Sequence, residues 1–531
     1  MSGEDLSSQP NTEKTEHSHV EHAAPQSQLG PPALIEPSTS AHGCHRCRRR
    51  SNEVIIAHSE ASVIVNWDGP DDKECPRNWP FVRKSLIVWS TSLLAFVAGF
   101  GSSVFAPSGP ALLLELGASL PVSRLSVSLW VLAIPLCGPL SDIFGHQVAL
   151  AISMLGLCLF QLPAALGTNI QTVLVSRTIS GVFASGAALI VPRIYTDIYS
   201  PIPRSISLAV LTSAFHLGTT LSPIAAASLL VSPPPDRSPP WRWLSWLTFL
   251  LAAPLSTLTI LFSIPETSTP LLLQRKARRL RLETGNWALH AQSEEAPFIQ
   301  WRMLTQTYLS KPTRMLTTEP LLALFTLHLS IVHGVVYLIL YAVPFAFQSR
   351  GLGWETPRAH LPLLAVALGG VAAGIATVIP FSGVFSLWRR GFGVEQTLES
   401  RVLPTMVLGS GVLPLGLFWF GWTTETHWFA QVIGAFFIGA GCVLVLASGT
   451  VYVLEAYGVH AESALVGHLA VRSLVAASFP LWVGPIYEGL GVGWASSVVA
   501  FGCLAMVPIP VVFLIWGGRM RERGRYGLTL E

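Results

Sequence analysis

The sequence predicts an all-α membrane protein with twelve transmembrane helices in two six-helix halves. Apolar stretches follow one another along the 531 residues, and most approach the ~20 residues that a helix needs to cross the hydrocarbon. Hydrophobic residues make up 50% of the chain and charged residues 12%, whereas soluble domains carry roughly twice that charged fraction. One long cationic segment, residues 265–318, separates the apolar stretches into two groups.

The predicted domains follow from this pattern. They are a disordered tail over 1–84, an N-terminal half over 85–264, a central loop over 265–318, a C-terminal half over 319–516 and a C-terminal tail over 517–531. The spans of the first half are placed near 85–107, 123–141, 148–167, 170–192, 206–231 and 241–264. Those of the second half are placed near 320–347, 361–386, 402–421, 428–453, 464–485 and 493–516.

Lys and Arg are distributed unequally between alternate loops. The side of the N-terminus carries most of them, including the central loop, and the opposite side carries Arg124, Arg237, Arg242, Arg350 and Arg358. Because basic residues in short loops stay in the cytoplasm, both termini and the central loop are predicted to be cytoplasmic. Within that loop, Leu271 to Leu282 is expected to form an amphipathic helix on an anionic membrane surface.

The segments outside the spans give no sign of catalysis. They contain no phosphate-binding loop, metal cluster or nucleophile motif. The pair Cys44 and Cys47 has metal-like spacing, but a basic tail without metal is the favoured interpretation. The net charge of +3 is too small to indicate nucleic-acid binding. We therefore predict a protein that is not an enzyme and has no cofactor and no metal.

Six plus six spans around a long loop are typical of a transporter with a site near the membrane midplane. Proline inside a span frees a backbone carbonyl, which favours bends where helices line a cavity or gate. Such prolines occur in both halves: Pro107, Pro135, Pro163, Pro223, Pro344, Pro414 and Pro480.

The loop between the second and third spans carries a family resemblance. The run from Gly138 through Asp142 to Gly145 resembles the signature loop of the major facilitator superfamily, glycine-x-leucine-x-aspartate-x-x-glycine. Gly145 permits a tight turn, and Asp142 can cap a helix or meet a dipole across the two halves. Family members follow the last glycine with two basic residues. His146 and Gln147 stand there, so the charge latch attributed to this loop is expected to be weak.

Further motifs resemble the fungal twelve-spanner drug:proton antiporter family over most of the chain after residue 66. Arg177 with Gly181 and Gly186 is similar to its fourth-span motif, and Pro265 to Thr267 followed by Arg275 to Leu280 is similar to its central loop. The resemblance implies the major facilitator fold. It also implies that Arg177 matches an arginine linked with proton transfer.

Three departures from the family affect the expected function. The fifth-span antiporter motif keeps Gly218 and Pro223 but has lost most of its other glycines. Tyr341 stands where relatives often have a glutamate, which argues against polyamine substrates. The second span is about four residues shorter than the family pattern, or roughly one helical turn. A real shortening absorbed by tilt and a mispredicted exon joint both explain this difference.

Ionisable side chains inside spans are costly and therefore count as functional candidates. Arg177, Arg472 and His216 are the candidates for proton coupling, since no carboxylate lies near the middle of a predicted span. His328 and His333 are five residues apart, so a shared site on one helix face is not expected. Aromatic residues are predicted to line the substrate cavity, although ordinary packing or lipid contact competes for each: Phe100, Trp130, Phe215, Tyr337 and Tyr341.

Together these features predict a secondary active transporter that exports small amphipathic compounds by alternating access with proton antiport. Drugs, toxins and secondary metabolites are the expected substrates. An uncoupled or uptake transporter of a small nutrient, or a transport-silent receptor-like membrane protein, remains an alternative. The expected partners are a small-molecule substrate, protons and the lipid bilayer, without nucleic acid. The protein is expected to be a monomer and to span the plasma membrane several times.

Overall fold

The computed structural model describes residues 64–132, 137–232, 239–262, 264–295, 305–349, 353–379 and 397–526. Cys44, Cys47 and most of the predicted N-terminal tail lie outside these residues, as does Pro135. The described residues are almost entirely helical, and their one sheet is a parallel pair of two-residue strands, β1 (Ile64–Val65) and β2 (His290–Ala291). The predicted all-α class is confirmed.

The N-terminal half contains six predicted spans. Span 1 is Phe81–Ser103, followed by a short 3-10 turn, Ala106–Ser108, and the helix Gly109–Leu116. Span 2 consists of the helices Leu120–Val131 and Gly138–Phe144 on either side of residues 133–136. Span 3 consists of His146–Leu159 and Gln161–Leu166, span 4 is Ile170–Ile198, span 5 is Pro201–Val231 and span 6 is Arg242–Phe262.

The C-terminal half repeats this arrangement. Span 7 is Pro320–Gln348, span 8 consists of Thr356–His360 and Leu363–Val378, span 9 is Leu398–Trp422 and span 10 is Trp428–Tyr457. The long helix Ala461–Leu504 breaks at Gly491, where φ is 72°. The part before Gly491 is span 11, and the part after it, continued by Pro508–Arg523, is span 12.

Nine helical stretches among the described residues are long and apolar enough to cross a membrane. The last of them, Trp428–Glu522, contains predicted spans 10 to 12. The second predicted span is represented by Leu120–Val131, a shorter apolar helix. This accounts for all twelve predicted spans. The helices mostly extend a few residues beyond the predicted limits, because hydropathy locates the apolar middle of a helix and not its polar ends.

The two halves meet through spans 2 and 5 of the first half and spans 8, 10 and 11 of the second. Span 5 packs against spans 8 and 10, and span 2 packs against span 11. Span 1 lies against spans 4 and 5 within the N-terminal half, and span 7 lies against span 11 in the C-terminal half. This arrangement places spans 1, 4, 5, 7, 10 and 11 around the centre of the bundle, where side chains from both halves face each other.

Close approach of spans 1 and 5 depends on glycine. A Cβ at Gly218 would collide with the backbone of Phe96 and Phe100, and a Cβ at Gly99 would collide with the carbonyl of Phe215. Small residues bring transmembrane helices together because lipid offers no hydrophobic driving force between them. Pro223 removes the N–H that would bond Thr219 O, and Ser103 Oγ donates to that carbonyl instead at 2.7 Å. The fifth-span motif thus joins the two helices.

We expect Gly218→Ala to destabilise the protein by about 1–3 kcal/mol, because backbone atoms of span 1 cannot move aside cheaply. The measurement is the thermal unfolding midpoint of purified protein in detergent. Gly411→Ala in span 9 is the matched control, since nothing lies within 4 Å of its added Cβ. Equal midpoints for the two variants would show that spans 1 and 5 do not need this contact.

Residues 64–80 belong to the predicted disordered tail, yet they fold against the central loop. β1 pairs with β2, and Lys276 on the helix Thr269–Thr284 binds Asp68 and Asp72, both at 2.9 Å. Arg279 of the same helix binds Glu74 at 2.7 Å. The helix is present as predicted, but two of its cations, Lys276 and Arg279, bind this acidic segment, while Arg275 remains exposed. We call the end of the bundle that carries these segments the loop end.

The ion pair of Lys276 and Asp72 sets a pH range for this docking. Burial raises the pKa of Asp72, but hydrogen bonds from Lys276 and two backbone N–H groups outweigh it and hold the pKa below 3.8. Burial lowers the pKa of Lys276, but its two carboxylate partners outweigh it and hold the pKa above 10.5. The contribution of Asp72 is therefore present above pH 3.8 and is lost as the pH falls through its lowered pKa.

We expect Lys276→Ala to release residues 64–80 from the central loop and to speed their proteolysis several-fold at pH 7. Wild-type protein should stay protected at pH 5 and lose protection only below the pKa of Asp72. Limited proteolysis followed by mass spectrometry checks this. Arg278→Ala, on an exposed position of the same helix, is the control and should leave the cleavage rate unchanged.

Candidate functional site

A central cavity lies between the two halves. Its larger part has an empty volume of about 830 Å³, and a smaller part of about 540 Å³ shares seven lining residues with it. Most of the lining is apolar, with alanines from spans 1 and 4 and leucines from spans 5, 10 and 11. Apolar walls with few polar groups are typical of binding sites for small molecules. The residues common to both parts are Ala98, Ala184, Ala188, Phe215, His333, Leu469 and Arg472.

Arg177 lies beside this cavity, fully buried within the N-terminal half. Its guanidinium donates to the backbone carbonyls of Gly101 at 2.8 Å, Ser126 at 3.1 Å and Ser102 at 3.2 Å. It also lies over the rings of Trp130, at 4.4 Å, and Phe105, at 4.5 Å. Carbonyls and ring faces stabilise the charge without a carboxylate. Arg177 therefore ties span 4 to spans 1 and 2.

Five predicted site residues line the cavity, and Arg472 is one of them. Trp130 and Tyr337 line its smaller part, His216 lines its larger part, and Phe215 lines both. The Tyr337 hydroxyl donates to Ser102 Oγ at 3.2 Å. His333 joins this group, because its ring stacks on Phe215 at 6.2 Å and meets Tyr337 edge-on at 5.3 Å.

Two predicted cavity residues lie elsewhere. Phe100 packs in the core beside Phe96, and its backbone faces Gly218, so it does not line the central cavity. Tyr341 lines a separate pocket toward the end opposite the loop end, together with Arg124 and His360. The guanidinium of Arg124 lies 6.0 Å from the Tyr341 ring centre. Tyr337 and Tyr341 are four residues apart on one helix, but they line different pockets.

Arg472 differs from Arg177 in its surroundings. It lines both parts of the central cavity, and within the described chain it has no carboxylate partner and its Nε has no hydrogen-bond acceptor. His468, one turn earlier on span 11, is fully buried and both of its ring nitrogens lack partners among described residues. His216 Nε2 and His333 Nδ1 are likewise unpartnered there. Imidazoles from spans 5 and 7 and one guanidinium from span 11 therefore line the cavity.

A polar cluster joins the halves at the loop end. Arg193 of span 4 binds Asp142 of the signature loop at 2.9 Å and also forms an ion pair with Glu462 at the start of span 11. Tyr308, from the central loop, accepts from Arg193 at 2.9 Å, and its hydroxyl also reaches the carboxylates of Asp142 and Glu462. Burial, against the opposing charge of Arg193, raises the pKa of Tyr308, so its hydroxyl remains a donor. We call these four residues the Tyr308 cluster.

Gly138 provides space for the Tyr308 cluster. A Cβ at Gly138 would overlap the Tyr308 ring, which also packs against an apolar cluster drawn from both halves, Leu189, Val466 and Leu469. The signature glycine and aspartate therefore hold one tyrosine between them. The prediction that the charge latch of this loop is weak is corrected, because Asp142 has strong partners. None of these partners is a basic residue directly after Gly145.

The third span is anchored by other means. His146 Nε2 lies 3.1 Å from Asp197, and Glu266 accepts from the backbone N–H groups of His146 at 3.0 Å and Thr267 at 3.0 Å. A carboxylate is favourable at a helix N-terminus, where N–H groups lack partners. Gly145 has φ of +87°, and a Cβ there would overlap Glu266. The signature glycine thus lets the central loop cap span 3.

A second polar cluster lies at the loop end. Glu455 at the end of span 10 binds Arg204 of span 5 at 3.6 Å and accepts from Ser205 at 2.9 Å. It also forms an ion pair with Arg401 of span 9. Spans 5 and 10 belong to opposite halves, so this Glu455 cluster and the Tyr308 cluster both hold the halves together. The sequence showed these charges only as a basic bias, and their partners lie too far along the chain for spacing to reveal.

Two helical halves around a shared cavity, joined by polar clusters at one end, define a membrane transporter and not an enzyme. The chain matches the family described as Major Facilitator Superfamily over residues 91–478. It is 37% identical over 474 residues to the ascochitine biosynthesis cluster MFS transporter of Didymella fabae, covering 88% of this chain and 90% of that protein. It is 35% identical over 469 residues to the citrinin biosynthesis cluster MFS transporter of Monascus ruber, covering 87% and 92%.

Among solved structures, the proton:xylose symporter XylE bound to 6-bromo-6-deoxy-D-glucose superposes with a TM-score of 0.59 at 14% identity. The alignment covers 82% of this chain and 96% of that one, and it shows the shared fold. The chain belongs to the major facilitator superfamily, among fungal transporters. The predicted family and fold are confirmed.

Proposed function

We propose that this protein exports small amphipathic compounds by alternating access. The observation that carries the proposal is the central cavity, whose apolar walls from both halves include few polar groups. Such walls accept many amphiphiles because they demand little hydrogen-bond geometry. The curated relatives are named as transporters of biosynthesis clusters for ascochitine and citrinin. We propose secondary metabolites and toxins as the substrates.

In this proposal the two polar clusters at the loop end act as the closing contacts. When the Tyr308 and Glu455 clusters separate, the cavity opens toward the loop end and loads substrate. When the two clusters form again, the halves rotate about the cavity, and the substrate is released on the other side. The loop end is assigned to the cytoplasm because basic residues concentrate there. Substrate that loads from the loop end is therefore transported out of the cell. The membrane we propose is the plasma membrane.

Proton antiport is the proposed driving reaction. None of the described residues that line the central cavity is Asp or Glu, so imidazole is the remaining group there that can gain and lose a proton near neutral pH. His216 lies between spans 5 and 8, where its ring meets the position of a Cβ on Gly370 in the opposite half. A proton on this ring would change the contact between halves. Arg177 and Arg472 are the proposed fixed charges of the coupling.

The test is intracellular accumulation of labelled amphipathic compounds in an efflux-deficient fungal strain that expresses the protein. We expect accumulation to fall, and a protonophore or Arg177→Ala to restore it. A fall that survives the protonophore would exclude proton coupling. A rise would indicate an uptake transporter, and no change for any compound, with surface expression confirmed, would favour the transport-silent alternative.

A further inference from the structure

The central cavity contains one charged side chain among its described lining residues, Arg472. The remaining lining is alanine, leucine, valine, threonine, serine, proline, glycine and aromatic residues, with two histidines in the larger part. Arginine keeps its proton in proteins, so the cavity carries a fixed positive charge. An unpaired charge in apolar surroundings is costly unless a partner neutralises it.

The protein does not supply that partner within the described residues. The nearest preceding carboxylate on the same helix is Glu462, ten positions earlier, which places it ~15 Å away along the axis. Glu462 already binds Arg193, and Glu455 binds Arg204 and Arg401. Both acids therefore belong to the polar clusters at the loop end. In contrast to Arg177, whose three carbonyl acceptors are in place, Arg472 has an unpartnered buried Nε.

Further polar groups stand around the same charge. His333 and Tyr337 line the smaller part of the cavity together with Arg472 and Ser473. His333 Nδ1 has no acceptor or donor among described residues. A neutral imidazole can donate one N–H, and a guanidinium offers up to five. Planar anions accept two parallel bonds from arginine, which adds orientation as well as affinity.

The rest of the cavity suits the other end of such a molecule. Ala98, Ala184 and Leu469 leave a smooth apolar wall, and the Phe215 ring faces across to the His333 ring. An aromatic or aliphatic body would rest there while its anionic group lies against Arg472. The site thus has one polar pole and one apolar pole.

We propose that Arg472 binds the anionic group of the transported compound, and that the preferred substrates are amphipathic acids with a carboxylate or an ionised phenol. This inference rests on the proposed export function and narrows it to a substrate class. The charge of Arg472 then contributes to substrate selection more than to packing. Arg177 has its hydrogen-bond acceptors within the protein and does not contribute to substrate selection.

The experiment measures binding to purified full-length protein in lipid nanodiscs for pairs of aromatic carboxylic acids and their methyl esters. The members of a pair share the same body and differ in charge. We expect wild-type protein to bind the acid at least tenfold more tightly than its ester. Arg472→Gln should lose this preference while its affinity for the ester changes less than twofold, and Arg472→Lys should keep part of it.

The ratio of acid to ester is measured on one protein sample, so a lower folded fraction does not alter it. Equal binding of acid and ester by wild-type protein for every pair would overturn the inference, as would an unchanged ratio in Arg472→Gln. If Arg472→Gln does not fold, Arg472→Met is used for the same comparison. Cells that export the esters and other neutral amphiphiles, with no preference for acids, would retain the proposed export function and refute only the anion site.

Discussion

Arg177→Ala is expected to abolish transport and to lower the thermal stability of the protein. The substitution removes three hydrogen bonds to buried carbonyls and the cation that lies over Trp130 and Phe105. A hydrogen bond from a charged group contributes about 1.5–3 kcal/mol, so the loss of three together is a large effect. We expect at least a tenfold loss of export, with a clear fall of the unfolding midpoint in detergent.

Arg177→Lys separates geometry from charge. A lysine ammonium is a point charge and cannot span carbonyls on two helices as a planar guanidinium does. We expect this variant to reach the cell surface but to lose most of its export. Arg83→Ala is the control, because Arg83 is exposed at the start of span 1, where its guanidinium lies over the Trp79 ring. Full export by Arg177→Lys would show that charge alone suffices, and full export by Arg177→Ala would remove Arg177 from the account.

Arg193→Ala is expected to open the loop end. Arg193 is the one cation of the Tyr308 cluster, and its loss leaves Asp142 and Glu462 as facing carboxylates beside one phenol. Like charges repel in such a site, so the closed arrangement should become less populated. Spin labels at Val148 and Val459, exposed positions of opposite halves, report the separation by electron paramagnetic resonance. We expect longer distances to gain population and export to fall at least fivefold.

Tyr308→Phe is the matched variant for this cluster. It keeps the ring against Gly138 but removes the hydroxyl that reaches both carboxylates. Its shift should have the same direction as that of Arg193→Ala and be smaller, because the ion pairs remain. An unchanged distance distribution in Arg193→Ala would mean that the cluster does not hold the halves together.

The spans and the fold class could be predicted because they depend on local sequence. Hydropathy over a window of residues locates each helix, and basic residues in alternate loops set the predicted orientation. Arg177 could be singled out because a charged side chain inside a span is costly, but its contact with Trp130 could not be inferred from the sequence. The prediction that Phe100 lines the cavity was wrong, because the sequence does not show whether an aromatic residue faces a cavity or a neighbouring helix.

The central histidines show what local spacing cannot reveal. His333 and His328 do not share a helix face, and the sequence offered no reason to pair His333 with any other residue. In the fold, His333 meets Phe215 of span 5 and lines the cavity with Arg472 of span 11. Tyr308 was missed for the same reason, since its partners lie 115 to 166 positions away along the chain. Such contacts depend on the tertiary packing.

Alternating access to the central cavity is most directly tested by thiol labelling of Ala188→Cys, a position that lines both parts of the cavity. The variant is placed in a transport-competent cysteine-free background in sealed vesicles, and a membrane-impermeant maleimide is added from either face. The account predicts labelling from both faces during transport, with faster labelling from the loop end after Arg193→Ala. Labelling from one face only, unchanged by substrate and by Arg193→Ala, would contradict it.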